Sequence, residues 1–539
     1  MKALRLLLAP LAAALLGAAT PPTPAEIAAA QRVRADVEFL ASDLLEGRDT
    51  GSRGYDIAAA YVAAQFRAIG LQPGGANDSW YLQVPFRRAV HAGPPTASLA
   101  IGREVSALKP GTDFAVRPSV TEQSRTIDAP LAFVGYGVSD PRLRIDNYAG
   151  LDVRGKVVVA IQGTPSGLPS EIAAHLDSSK AVTAAAKGAI GLIEIAGTGE
   201  RRGATSLAYF DRPVTDWVDP SGKVASQSSR LGLAGGMSRA LAERLFKSAR
   251  QDLSKVLGSA RRGAIRGFDF PARLRLSDRM QWDSYTSPEV IGLLPGSDPA
   301  LKSEYVVLMG HLDHLGVRRD AKPGEDAMYN GALDNAAGVA TMIEAAREFV
   351  ASGKPPRRSV LFIANTGEER GLRGADYFAA NPTVPADKIV GVVDLDMPML
   401  LYEFTDVIAF GGEHSTVARN IAEAARSMGV AVSPDPMPQE AIFVRSDHYR
   451  FVTRGIPAIL LMTGYANGGE AQWKRFFAEI YHKPGDDLTQ PIRWDQGARY
   501  ARLNYRIARD LADVDQRPLW YQGDYFGETF APTQPKAKP

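Results

Sequence analysis

The 539-residue chain has no cysteine. Disulfides, thiolate metal sites and cysteine nucleophiles are therefore excluded, and any bound metal must rest on nitrogen and oxygen donors. Histidine is scarce too: His91, His175, His311, His314, His414, His448 and His482 are the full set. Nor is there an excess of either charge. Lys and Arg total 62 against 60 Asp and Glu, which leaves no electrostatic footprint for nucleic acid or an anionic membrane. The apolar run Leu6 to Ala19 falls short of the roughly 20 residues that span a bilayer. With Lys2 and Arg5 before it and Gly17-Ala18-Ala19-Thr20 closing it, it reads as a secretory signal over residues 1–20. The expectation is an exported protein, periplasmic or secreted, with no membrane anchor after cleavage.

What is present is a globular composition, 45% hydrophobic and 23% charged, in a chain long enough for several domains. Apolar residues recur at helical spacing from Ile27 to Leu40 and from Tyr55 to Ile69, where Gly70 ends the pattern. The polar loop between them, Leu45-Glu-Gly-Arg-Asp-Thr-Gly-Ser-Arg-Gly54, lacks a P-loop ending and reads as a structural turn. From Arg88 to Asp278 short β-rich runs alternate with turns, one helical run covers Ser179 to Lys187, and no dense set of ligand types occurs. From Val290 a βαβ rhythm begins. Strand-like runs at 305–309, 359–364, 389–393 and 456–462 alternate with helical patterns at 335–350, 372–380 and 415–428. The fold class is α/β: a mostly parallel mixed sheet flanked by helices, with an inserted β-rich domain. Residues 516–539, ending in a Pro- and Lys-rich stretch, are expected to fray.

The strand ends carry the chemistry. Tyr305–Met309 runs into Gly310-His311-Leu312-Asp313-His314, which brings an imidazole and a carboxylate to the sheet's carboxyl edge, where open α/β sheets place ligands. His311 has the placement of a metal donor, and Asp313 that of the partner which fixes its tautomer. Asp334 precedes a helix and would also serve as a plain N-cap. Glu368-Glu369 puts two carboxylates side by side, which repel unless a cation or proton relieves them. Asp394 and Asp396 lie in a buried strand, where unpaired charge is costly, and their two-residue spacing gives both the same facing. His482 follows Tyr481 in a loop.

Taken together, Gly310-His-Leu-Asp313, Asp334-Asn-x-x-Gly338, Glu368-Glu369-x-Gly371, Asp396-Met397, Arg445-Ser-Asp-His448 and Tyr481-His482-x-x-x-Asp486 resemble the M28 family of co-catalytic zinc peptidases. The resemblance covers residues 24–90 and 282–515 as a discontinuous catalytic domain. It leaves 91–281 as an insertion whose stretch from about 125 to 255 resembles a protease-associated domain. It implies two zinc ions, with His311 and Asp396 on one, Glu369 and His482 on the other, and Asp334 bridging. It further implies Glu368 as general base, Tyr481 at the oxyanion, Asp313 behind His311, and Arg445 and His448 near the substrate. His314 and His414 are left as structural residues. Pro398-Met399 stands where members commonly carry a small or polar residue.

The implied activity is that of a di-zinc exopeptidase releasing amino-terminal residues from peptides. A carboxypeptidase of the same family would want an arginine cluster for the terminal carboxylate, and a glutaminyl cyclase would use one zinc. A non-catalytic binding ectodomain would have lost ligands. The partners implied are peptides rather than nucleic acid.

Overall fold

The larger sheet is assembled from β1 (Tyr81–His91), β2 (Phe268–Leu294), β3 (Tyr305–His311), β4 (Ser359–Asn365), β5 (Ile389–Asp394), β6 (Asp406–Phe410), β7 (Ala431–Ser433) and β8 (Ala458–Thr463). These come from a computed structural model that describes residues 21–198, 206–224, 231–263 and 265–539. The expected signal at 1–20 lies outside the described residues. The strands run in the order β1-β2-β4-β3-β5-β8-β6-β7. The central four, β4, β3, β5 and β8, are mutually parallel. Their residues are buried almost without a break, as helix-covered parallel strands require.

The covering helices include α1 (Pro24–Leu40), α2 (Arg53–Ile69), α3 (Ala337–Ala351) and α4 (Trp494–Asp513). Thr23 and Glu26 form a reciprocal capping box at the start of α1, and Gly70 ends α2 in the left-handed region. α3 is the crossover from β3 to β4, which fixes those two strands as parallel neighbours. α4 was not anticipated. Its buried Tyr500, Leu503, Asn504, Ile507 and Leu511 form one helical stripe.

β2 joins two sheets. Phe268–Arg279 pairs with Thr96–Ile101 and Ser124–Phe133 of the inserted region, whereas Met280–Leu294 pairs with β1 and β4. At about 3.3 Å per residue its 27 residues are one continuous element. Burial changes character along it. Phe270, Ala272, Leu274 and Leu276 alternate with exposed Arg273, Arg275 and Ser277, while Ser287–Gly292 is buried throughout. One face of the strand therefore meets solvent in the insert, and both faces are covered in the larger sheet. In the insert, Ser124–Phe133, Val157–Ile161, Gly191–Ile195 and Leu233–Met237 pair in parallel around their own apolar core. The helical stretch there is longer than expected, Ser170–Ser178 followed by Lys180–Ala186.

The carboxyl-terminal segment is not frayed, contrary to expectation. Trp520 and Phe526 are buried in the main core, Trp520 Nε1 donates to Gly455 O at 2.9 Å, and Tyr525–Phe530 is helical. Its aromatics outweigh its polar end, each large apolar side chain contributing about 1.5–3 kcal/mol on burial. Deleting residues 516–539 should lower the melting temperature by several degrees in a thermal scan; an unchanged midpoint would show that the docked tail adds nothing. Among the described residues no helix is long and apolar enough to cross a membrane.

Candidate metal centre

The carboxyl ends of the parallel strands converge on one cavity. It is lined by His311 from β3, Glu368 after β4, Asp396 and Met397 after β5, Leu460 and Met462 from β8, and by Asp334, Ile442, Arg445, Ser446, Tyr481 and His482 from loops. Sequence order scatters these residues from His311 to His482; the parallel topology gathers them on one edge.

Two groups of donor atoms meet there. His311 Nε2 lies 3.2 Å from Asp334 Oδ1 and 3.2 Å from Asp396 Oδ1. His482 Nε2 lies 3.3 Å from Asp334 Oδ2 and 3.3 Å from Glu369 Oε1. Donors bound tetrahedrally to zinc at about 2.0–2.1 Å stand roughly 3.3 Å apart, and the observed separations match that edge. His311, Asp334 and Asp396 have donor atoms mutually within 4.8 Å, as do His314, Asp334 and Glu369. The donors are nitrogen and carboxylate oxygen only, and Glu369 Oε1 is buried without a hydrogen bond. Such a set fits a borderline divalent cation. Each oxygen of Asp334 faces a different imidazole, as a bridging carboxylate would. Its backbone is held independently: Leu333 and Asp334 N–H donate to Asp486 at 2.9 and 3.0 Å, and Asn335 ties Gly338 and Met397 N–H to its own side-chain oxygen. Asp334 makes no side-chain helix cap.

Electrostatics agree with a site built for positive charge. Burial opposes charge on His311, yet Asp396 and Asp334 hold its proton well above the usual imidazole range. Burial likewise pushes Asp334 upward, but hydrogen bonding to His311 and His482 leaves it well below the ordinary carboxylate range. Burial drives Glu368 well above that range, with Glu369, Asp447 and Asp396 adding to the effect and His311 opposing it. Buried acids of this density demand cations.

Asp313 does not act as the sequence suggested. His311 Nδ1 is 3.0 Å from the main-chain carbonyl of Asp313, not its carboxylate. The carboxylate instead accepts from Thr50 Oγ at 2.8 Å and from the N–H groups of Glu368 and Glu369 at 3.2 and 3.3 Å. A two-residue spacing from His311 turns the Asp313 backbone, rather than its side chain, toward the ring; the freed carboxylate clamps the Glu368-Glu369 turn. Asp313→Asn would set an amide N–H against those donors. Metal affinity in chelator competition should fall about 10–100-fold, as for other outer partners of metal donors; wild-type affinity would remove Asp313 from the support of the site.

The loop read as a plain turn also reaches the centre. The fully buried Arg48 donates to the carbonyls of Leu312 at 2.9 Å and Asn330 at 2.6 Å, and also to those of Leu40 and Gly331. It thereby pins both loops that bear donors. Burial lowers its guanidinium to about 10 against the pull of Asp486 and Asp313. Nothing in its isolated motif distinguishes this role, because its partners are backbone carbonyls far along the chain.

The remaining candidates separate. Tyr481 lines the cavity and stacks on His482 at 3.9 Å between ring centres. Arg445 lines it too, with its guanidinium 3.2 Å from Glu440 O and 3.3 Å from Glu440 Oε2. His448 is not a pocket residue. It is fully buried, its N–H donates to Asp394 Oδ2 at 3.1 Å, and its ring packs on Phe443; the short helix His448–Val452 turns it inward. Ser446 Oγ lies 2.8 Å from Asp394 and 2.7 Å from Asp396, so the two strand-end acids are linked, with Asp396 the one beside His311. His414 lies outside this cavity, between Glu171 at 2.9 Å and Asp524 at 2.6 Å. His314 is not remote from the centre: its Nδ1 sits 2.8 Å from Glu369 Oε1.

Residues 289–508 match the family described as Peptidase family M28. A probable zinc metalloprotease of Leptosphaeria maculans is 30% identical over 229 residues, 35% of this chain and 48% of that protein. One of Pyrenophora tritici-repentis is 32% identical over 260 residues, 42% of this chain and 58% of that protein. The chain thus spans about half the length of these relatives. An aminopeptidase from Aneurinibacillus sp. strain AM-1 superposes with a TM-score of 0.51 at 21% identity, over 92% of this chain and 97% of that one, which shows a common fold. The matched residues 289–508 carry His311, Asp334, Glu368, Glu369, Asp396 and His482, so it is the region holding the candidate metal centre that is similar to peptidase family M28.

Proposed function

We propose that the chain is an exported aminopeptidase that uses two zinc ions to hydrolyse the first peptide bond of its substrates. The observation that carries this reading is the convergence of five side chains at tetrahedral-edge spacing, with Asp334 shared between the two groups. His311 and Asp396 would hold one ion, Glu369 and His482 the other, and Asp334 both. Bound there, the ions would supply Lewis acidity and a water of lowered pKa. Glu368, lining the same cavity, would take the proton of the attacking water and return it to the leaving amine. Tyr481 would direct its hydroxyl at the developing oxyanion. Asp313, through the N–H groups of Glu368 and Glu369, would keep base and donor in register.

The choice of substrate end follows from charge. Arg445 is the only arginine lining the cavity among the described residues, and Glu440 engages it. A terminal carboxylate finds no free partner there, while the carboxylates around the floor favour an ammonium group. This supports an aminopeptidase over a carboxypeptidase. Met397, Ile442, Leu460 and Met462 give the adjoining wall an apolar character suited to an apolar first side chain.

The test is a panel of aminoacyl chromogenic substrates beside amino-blocked and carboxyl-blocked peptides, before and after metal removal and zinc addition. Cleavage of free amino-terminal residues, lost on chelation and restored by zinc, is the expected result. Cleavage confined to amino-blocked peptides with a free carboxylate would overturn the aminopeptidase reading. Protein that binds no divalent metal and cleaves nothing would leave the binding-ectodomain reading standing. Export is tested separately, by whether the amino terminus of cell-produced protein begins after residue 20 or so.

A further inference from the structure

We propose that His314 is a sixth metal-binding side chain, joining Asp334, Glu369 and His482 on their ion through Nδ1; this rests on the two-ion reading above. The ring is fully buried. Its Nδ1 lies 2.8 Å from Glu369 Oε1 and 4.0 Å from Asp334 Oδ2. Yet neither nitrogen of His314, nor Glu369 Oε1, makes a hydrogen bond. A nitrogen and an oxygen this close but out of line for N–H···O are neighbours around a third point rather than partners of each other. The common alternative, a core histidine satisfied by ordinary hydrogen bonds, would have at least one nitrogen paired.

The ring is also held in place from several sides. The backbone N–H of His314 donates to Arg48 O at 3.1 Å. Gly331 lies against its face, where a Cβ would come within 2.7 Å of ring atoms Cγ and Cδ2. His482 packs at its edge, 5.9 Å between ring centres. A side chain so constrained presents Nδ1 at little entropic cost.

The two halves of the centre then differ. The His311 side has three protein donors, His311, Asp334 and Asp396, and keeps a position open for water or substrate. The other side has four, Asp334, Glu369, His482 and His314, the number that closes a tetrahedral ion. The ion on the His314 side is the tighter and less exchangeable one, and the reacting groups assemble on the His311 side.

Two measurements test this, neither of them activity. In crystals of the zinc-loaded protein, His314 Nδ1 should lie about 2.0–2.1 Å from the nearer ion; a separation beyond about 3 Å overturns the proposal. In stepwise chelator competition, His314→Asn and His314→Ala should weaken one ion at least about 10–100-fold and leave the other at wild-type affinity, with the fold of the metal-free variants checked by circular dichroism. Folded variants that retain both ions at wild-type affinity overturn the assignment of His314 alone. Wild-type protein that takes up a single ion overturns the two-ion reading and, with it, this one. The wild-type crystal decides the matter even where a variant fails to fold.

Discussion

Glu368→Gln should keep its metal and lose hydrolysis, with kcat down by about 10²–10⁴-fold. Gln preserves the shape of the side chain and its place on the cavity wall but cannot accept a proton. The turn that carries it is fixed from behind by Asp313, whose carboxylate binds the N–H of residue 368 whatever side chain follows. Rearrangement is therefore not a competing cause of the loss. The discriminating measurement is metal content alongside steady-state kinetics. A variant that loses metal as well makes Glu368 a donor rather than a base, and one with wild-type kcat removes it from the chemistry.

Asp334→Ala should have the larger effect, abolishing measurable turnover and weakening both ions together. The reason is geometric: Oδ1 faces His311 and Oδ2 faces His482, so one deletion opens both halves. It also removes the negative charge common to two imidazole groups. Removing Asp396 should instead weaken chiefly the ion on the His311 side, because Asp396 Oδ1 is 3.2 Å from that imidazole and belongs to that donor group. Titrating zinc into metal-free protein by calorimetry separates the cases. Two unchanged binding events in Asp334→Ala would sink the bridging role.

Much of this centre was legible because parallel β-strands deliver their final residues to one edge. Each donor except His482 follows a short apolar run that folds as a strand or opens a helix, and so its placement could be read from period and position. What escaped depended on atoms that sequence does not point. Asp313 was assigned the right neighbour and the wrong atom, since the spacing from His311 brings its carbonyl rather than its carboxylate to the ring. Arg48 was hidden because it binds carbonyls 264 and 282 residues away. His314 and His448 exchanged fates for a similar reason: one follows a strand end that turns it inward onto Glu369, the other opens a helix that turns it away from the cavity. The Pro and Lys content of the tail points to fraying, whereas its five aromatic residues, Trp520 and Phe526 above all, are what burial responds to.

β2 has a consequence for how the molecule can be taken apart. It pairs with Thr96–Ile101 and Ser124–Phe133 at one end, and at the other with β1 over Met280–Val290 and with β4 over Val290–Leu294. Excising the insert at its sequence limits would thus sever a beam rather than trim a loop. The freed insert would lack most of its support against β1, and the remnant would expose the unpaired amide edges that invite aggregation. The two regions are separable in outline but not in construction: they are joined as masonry is joined, by a stone laid across both courses.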